Sequence, residues 1–237
     1  MIHLITYGNI YYNNSKKRLY NEALSSGWFN TITLYGPEDL DDEFTLNFKD
    51  ILREQKGGGY WIWKPYIIKK HLDKLQDNDI LIYLDAGCSI NKNGVRRFND
   101  YINMVNNNDA GIISFQMDHI EKKWTTSEIF KYFNIEEDSE VKNSGQVMAT
   151  IQIIKKNTNS IKLINLWNKV LYTNPLLFTD YYNNNQQSYF KDNRHDQSVF
   201  SIIRKIHNSI ILNNETDFVS YGNEESLKYP FWATRLK

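Results

Sequence analysis

Between Asp79 and Asp85 the chain carries an unbroken apolar run, Ile80-Leu81-Ile82-Tyr83-Leu84, closed by Asp85-Ala86-Gly87-Cys88. A strand without polar alternation has to be covered on both faces, as parallel strands between helical layers are. The flanking segments supply such layers. Residues 2–7 form a short apolar run stopped by the turn pair Gly8-Asn9, and Ser15 is placed to cap a helix to about residue 26. Residues 29–35 alternate and are rich in β-branched side chains, which predicts a second strand ending at Gly36-Pro37. Strand, helix and strand in that order favour a parallel sheet.

The alternation continues along the chain. Helices are predicted from Lys64-Pro65 to about residue 75, over 94–106, from Thr125 with Glu128 at capping-box spacing, over 160–172 and over 197–207. Strands are predicted at 110–115, 147–154 and 210–212. The Tyr- and Asn-rich stretch 174–193 reads as a mobile loop that orders over a site. With no repeat and no domain boundary, residues 1–237 are expected to form a single α/β domain, a central mostly parallel sheet flanked by helices.

Composition removes several function classes. The 41% hydrophobic content is too high for disorder, and 28 basic against 28 acidic residues leave no excess to neutralise a phosphate backbone, so no nucleic acid is expected as partner. Cys88 is the single cysteine, which excludes an intrachain disulfide and suits a reducing compartment. The apolar start is too short for a signal peptide and no transmembrane segment is expected, so the reading is cytoplasmic, or host cytoplasm for a viral protein. Peripheral membrane contact stays open.

In parallel α/β sheets, ligands bind at the carboxyl ends of strands, where Asp85 stands with Ala86 and Gly87 behind it. An Asp there also commonly caps the next helix. Gly57-Gly58-Gly59 reads as a flexible linker, with a phosphate loop as the alternative, beside Tyr60, Trp61 and Trp63, which serve equally as core or as a stacking wall. No Gly-Lys-Ser/Thr follows, so a Walker-type phosphate loop is excluded. Asp196, with His195, falls at a predicted helix N-terminus, where an N-cap is a sufficient explanation. Cys88 lacks a neighbouring base and reads as a small buried residue.

Taken in order, Gly57-Gly58-Gly59-Tyr60-Trp61-Ile62-Trp63-Lys64-Pro65, Tyr83-Leu84-Asp85-Ala86-Gly87-Cys88 with Asn91, Glu121-Lys122-Lys123-Trp124-Thr125 and Arg194-His195-Asp196-Gln197-Ser198 resemble a group of mostly bacterial and viral glycosyltransferases of the GT-A fold. The resemblance reaches from Tyr7 to about Arg235. It implies a Rossmann-like nucleotide-binding half and transfer of a sugar from a UDP- or GDP-sugar to a hydroxyl of a carbohydrate or glycan acceptor. On the donor side it implies Tyr7, Arg18, Tyr60, Trp61, Trp63, Lys64, Asp85, Ala86 and Gly87, with Arg18 and Lys64 meeting phosphates. On the acceptor side it implies Gln146, Arg194 and Gln197, with Asp196 and His195 as catalytic candidates and Asp196 as general base if configuration inverts. Many GT-A enzymes hold Mn2+ or Mg2+ on Asp-X-Asp; here the triplet is Asp85-Ala86-Gly87, which leaves Asp85 as the one metal candidate of the motif and predicts weak metal dependence. A sugar-nucleotide nucleotidyltransferase and a non-catalytic carbohydrate-binding protein of the same fold are the alternatives.

Overall fold

The structure, a computed structural model, describes residues 1–237. Its strands are β1 (Ile2–Tyr7), β2 (Thr31–Tyr35), β3 (Ile80–Leu84), β4 (Ser89–Ile90), β5 (Ile112–Ile120), β6 (Gly145–Val147), β7 (Ile151–Lys155), β8 (Ile210–Asn213) and β9 (Phe231–Trp232). The main helices are α1 (Asn13–Ser26), α2 (Trp63–Leu72), α3 (Val95–Asn106), α4 (Thr158–Thr173) and α5 (Asp196–Ile206). The large sheet runs β2-β1-β3-β7-β5-β6, with β8 on β5. β1 pairs parallel with β2 and β3, and β5 parallel with β8, while β3/β7, β5/β7 and β5/β6 are antiparallel. The parallel half is therefore the strand-helix-strand opening read from the sequence, and β7 joins it to a mixed half.

Both faces of β3 are buried, for the reason its unbroken apolar run implied. Leu81 and Tyr83 point into a core with Ile5, Ile154 and helices α2, α4 and α5. Ile80, Ile82 and Leu84 point the other way, onto Leu19 of α1 and Phe98 and Tyr101 of α3. In the first layer Trp167 and Phe200 stack at 4.0 Å with both side chains fully buried. Truncating either to Ala costs about 3–5 kcal/mol.

The strand predicted over 147–154 is in fact two. β6 and β7 lie along the same edge of β5 and are interrupted at 148–150, and the interruption is held by α5. Ser201 Oγ accepts from Val147 N at 2.8 Å, Gln197 Oε1 accepts from Ala149 N at 3.1 Å, and Arg204 donates to Met148 O at 2.6 Å. Gln197, Ser201 and Arg204 share one helical face by their spacing of four and three. That face satisfies backbone groups the ladder has released, as buried amides and carbonyls require.

Other boundaries shift by local chemistry. The helix expected from Thr125 starts at Ser127, because Thr126 accepts from Ile129 N while Thr125 donates to Glu121. Gln146 belongs to β6, and the β4/β9 pair just after Asp85 had no strand-length signal in the sequence. No helix is long and apolar enough to cross a membrane.

Candidate active site

At the carboxyl end of β3, the Asp85 carboxylate accepts from the Tyr83 hydroxyl at 2.5 Å and lies 3.1 Å from the Lys64 ammonium, both contacts through Oδ1. Lys64, in the first turn of α2, is also 3.2 Å from Asp196 Oδ2 and donates to Ala149 O at 3.4 Å. The contact with Asp196 Oδ2 lacks hydrogen-bond geometry and is electrostatic. Three separate pieces of the fold thus bring a buried ammonium between two carboxylates. The side chains of Lys64 and Asp196 are 3% and 5% exposed, whereas that of Asp85 is 30% exposed. Asp85 is the face of this triad that a ligand can reach.

Burial raises the Asp196 carboxyl to about 6, with Lys64 opposing the rise and the Asp85 charge adding to it. For Lys64, burial works against the ammonium, but Asp196 and Asp85 together outweigh it and hold its pKa above the ordinary lysine value. No three His, Cys, Asp or Glu side chains converge in a geometry that could hold a metal ion.

The turn after Asp85 is fastened from two sides. Arg18 donates to Cys88 O at 2.9 Å, Ser89 Oγ at 3.0 Å and Ala86 O at 3.2 Å, and it pairs with Glu22. Arg18, expected to meet phosphate, uses its terminal nitrogens to hold residues 86–89, and its side chain stays 28% exposed. From the other side, Leu236 N donates to Gly87 O at 3.0 Å and Thr234 Oγ1 does so at 2.7 Å. A Cβ on Gly87 would stand 3.1 Å from Arg235 Cα and 3.2 Å from Leu236 O. The backbone that approaches Gly87 is the chain's own 234–236 segment. Cys88 is fully buried, and burial pushes its thiol well up, so it is no nucleophile.

Gly57-Gly58-Gly59 is neither linker nor phosphate loop. All three residues, and Tyr60 and Trp61 after them, have positive φ. They wind one left-handed turn closed by Tyr60 N to Lys56 O at 2.7 Å and Trp61 N to Gly57 O at 3.3 Å. Gly59 has no room for a side chain, since a Cβ would lie 2.9 Å from Leu52 Cα. At Tyr60 and Trp61 the conformation costs about 1–2 kcal/mol each. The turn presents both rings to His195, with centroids 5.1 and 5.3 Å away, and His195 itself sits at φ 55°. Strained backbone of this kind gathers at functional sites.

His195 packs against both rings, and its Nε2 is 2.8 Å from Oδ1 of Asp180, whose Oδ2 pairs with Lys56 at 2.9 Å. Burial keeps the imidazole below its usual value. His195, expected to be catalytic, is placed so that it ties the left-handed turn to the start of α5. Asp196 is the first helical residue of α5 and not its cap. Its side chain is 5% exposed and lies 3.2 Å from the Lys64 ammonium, so Asp85 is the more accessible carboxylate of the two. Lys64 likewise has no exposed face for a phosphate. Tyr7 and Trp63 stack at 3.9 Å inside the core, so of the aromatic wall only Trp61 keeps a partly open ring.

Gln197 donates to Gln146 Oε1 at 2.6 Å, and Gln146 Nε2 donates to Glu121 Oε1 at 2.9 Å. Glu121, fully buried, pairs with Lys205 at 2.8 Å. The acceptor-side pair Gln146 and Gln197 is thus the outer end of a buried network behind the strand break, a network the sequence did not disclose. Arg194 lies 4.2 Å from the Trp124 ring, and its Nε has no partner. Burial lowers its pKa, Asp192 opposing and the like charge of Arg235 adding.

The 174–193 segment is not a free flap. Phe178 is fully buried, Glu128 accepts from Asn183 N and Gln186 Nε2, Tyr189 donates to Glu137 and Asn193 to Thr179 O. Its polar side chains supply the bonds that fix it. A cavity of about 170 Å³ beneath it is lined by Lys122, Phe130, Lys142 and Tyr189 but by none of Lys64, Asp85 and Asp196.

No protein-family model and no curated protein matches the chain. Solved structures do. A glycosyltransferase involved in the glycosylation of the major capsid of PBCV-1 superposes with a TM-score of 0.54 at 12% identity, over 98% of this chain and 91% of that one. Mouse xyloside xylosyltransferase 1 in its apo form gives 0.48 at 11%, over 92% and 87%. The galactosyltransferase LgtC in complex with donor and acceptor sugar analogs gives 0.47 at 8%, over 96% and 83%. The first of these shows that this chain has the α/β fold of a GT-A-type glycosyltransferase.

Proposed function

We propose that the protein is a glycosyltransferase that moves a sugar from a nucleoside diphosphate sugar to a carbohydrate hydroxyl. The observation that carries this reading is the Asp85 carboxylate, exposed at the carboxyl end of β3 on a buried Lys64–Asp196 base, in a chain with a glycosyltransferase fold. Ligands of open α/β sheets bind at that edge. Asp85 Oδ1 is engaged by Tyr83 and Lys64, so Oδ2 is the oxygen left to accept from hydroxyls of the ribose or sugar. Trp61 offers an apolar ring for the base or sugar, and Arg194 a guanidinium for the diphosphate. The acceptor oxygen would attack the anomeric carbon as the nucleoside diphosphate departs. The Lys64–Asp196 pair would keep Asp85 charged and aimed.

The test is calorimetric titration of the protein with a panel of UDP- and GDP-sugars, followed by product analysis. One of them should bind and be transferred or hydrolysed. Hydrogen bonds to a charged group contribute about 1.5–3 kcal/mol, so Asp85→Asn should weaken that donor about tenfold or more with the fold intact. Wild-type affinity in Asp85→Asn would sink the assignment. Pyrophosphorolysis in place of transfer would make the protein a nucleotidyltransferase, and binding without turnover a carbohydrate-binding protein.

A further inference from the structure

Building on the glycosyltransferase reading, we propose that the Lys64 ammonium stands in the place where a divalent cation would bridge the site carboxylates, so that the site works without a metal ion. Three observations carry this. The Nζ atom lies 3.1 Å from Asp85 Oδ1, 3.2 Å from Asp196 Oδ2 and 3.4 Å from the Ala149 carbonyl, an all-oxygen surround for a positive charge. Its long stem enters from α2 and is buried, so the charge is fixed by the fold and not drawn from solution.

The second observation concerns the missing carboxylate. An Asp-X-Asp site would need a side chain at Gly87, where a Cβ would stand 3.1 Å from Arg235 Cα and 3.2 Å from Leu236 O, so that 234–236 would have to give by a few tenths of an ångström. The packing of 234–236 on the turn thus disfavours a second carboxylate there. The third is His195, the imidazole nearest in sequence to Asp196. Its Nε2 is tied to Asp180, and Tyr60 and Trp61 pack against its ring, so that nitrogen is not free to ligate. A divalent ion at this point would find two carboxylates already neutralised in part by Lys64, and would have to expel a buried ammonium to reach them.

Lys64 brings one positive charge where a divalent ion brings two. The rest of the diphosphate charge falls to Arg194 and Arg235, which stand near enough to feel each other's charge, the backbone of Arg235 packing against Gly87. Such a division separates the roles of the cations, with Lys64 ordering the carboxylates and the arginines meeting the phosphates.

The experiment uses Mn2+ alone, with free Mn2+ counted by electron paramagnetic resonance and the melting temperature followed in parallel. Wild-type protein should leave the Mn2+ signal and its own melting temperature unchanged. Lys64→Ala should melt lower, bind one Mn2+ at least tenfold more tightly than wild type, and regain part of the lost melting temperature when Mn2+ is added. Lys64→Met, which keeps most of the stem, replaces it if the alanine variant does not fold. Stoichiometric Mn2+ uptake by wild type that disappears in Asp85→Asn overturns the proposal, and so does a lysine variant that takes up no Mn2+. Because no donor sugar is present, these outcomes are independent of whether the nucleotide-sugar panel finds a substrate.

Discussion

Replacing Asp196 with Asn removes a buried charge and almost no volume, and the structure makes the sign of its effect on stability unusual. The carboxyl stands at about 6 in the folded chain against 3.8 ordinarily; burial is the main cause, Lys64 opposes it and Asp85 adds to it. A folded-state value above the unfolded one means that the folded chain binds this proton more tightly. The carboxyl's favourable contribution is therefore full below about pH 4 and is lost as pH rises through about 6. A tenfold change in proton affinity is about 1.4 kcal/mol, so the ionised carboxylate leaves the folded state about 3 kcal/mol worse off than a neutral group of the same shape. The contact of the carboxylate with the first turn of α5 is already contained in that value. Asp196→Asn should then be more stable than wild type by up to about 3 kcal/mol at pH 8, while glycosyl transfer falls because Lys64 and Asp85 lose their partner. Urea denaturation of both proteins from pH 4 to 8 checks it, with the difference shrinking toward zero at the acid end. An Asn variant less stable than wild type at pH 8, or a difference that does not vary with pH, would refute the reasoning.

Three further outcomes follow from the geometry. Gly59→Ala puts a methyl group 2.9 Å from Leu52 Cα at φ 90°, so it should cost about 2 kcal/mol or more and lower the melting temperature by several degrees; unchanged melting would mean that the left-handed turn is not rigid. Glu121→Gln leaves Lys205 buried without its counter-charge, for a loss of about 3 kcal/mol or more in denaturant titration, and a neutral result would show that water reaches the pair. Arg18→Ala frees the carbonyls of Ala86 and Cys88, so stability should drop by about 2 kcal/mol and donor affinity should weaken as the turn after Asp85 loosens; intact affinity would separate the turn from the site.

Much of the fold was legible because its signals are local. The unbroken run 80–84 announces a strand covered on both faces, and spacings such as Phe98, Tyr101 and Val105 announce the buried face of a helix. Order and spacing of Lys64, Asp85 and Asp196 pointed to one site before any coordinates, since the ends of parallel strands and the starts of helices meet at one edge. What stayed hidden depends on partners far along the chain. The break at 148–150 interrupts an apolar run with no breaker residue in it, because its cause is hydrogen bonding from Gln197, Ser201 and Arg204 some fifty positions away. Arg18 reads as a free cation because the carbonyls it serves are backbone groups, which leave no mark in a sequence. Three glycines read as a linker, and only the backbone at Leu52 requires that Gly59 remain a glycine. Residue order named Lys64, Asp85 and Asp196 as candidates, with Arg18 beside them. That Lys64 lies beneath Asp85 and beside Asp196 came from packing in three dimensions, because a buried charge acts according to its distances and its desolvation, and a linear sequence specifies neither.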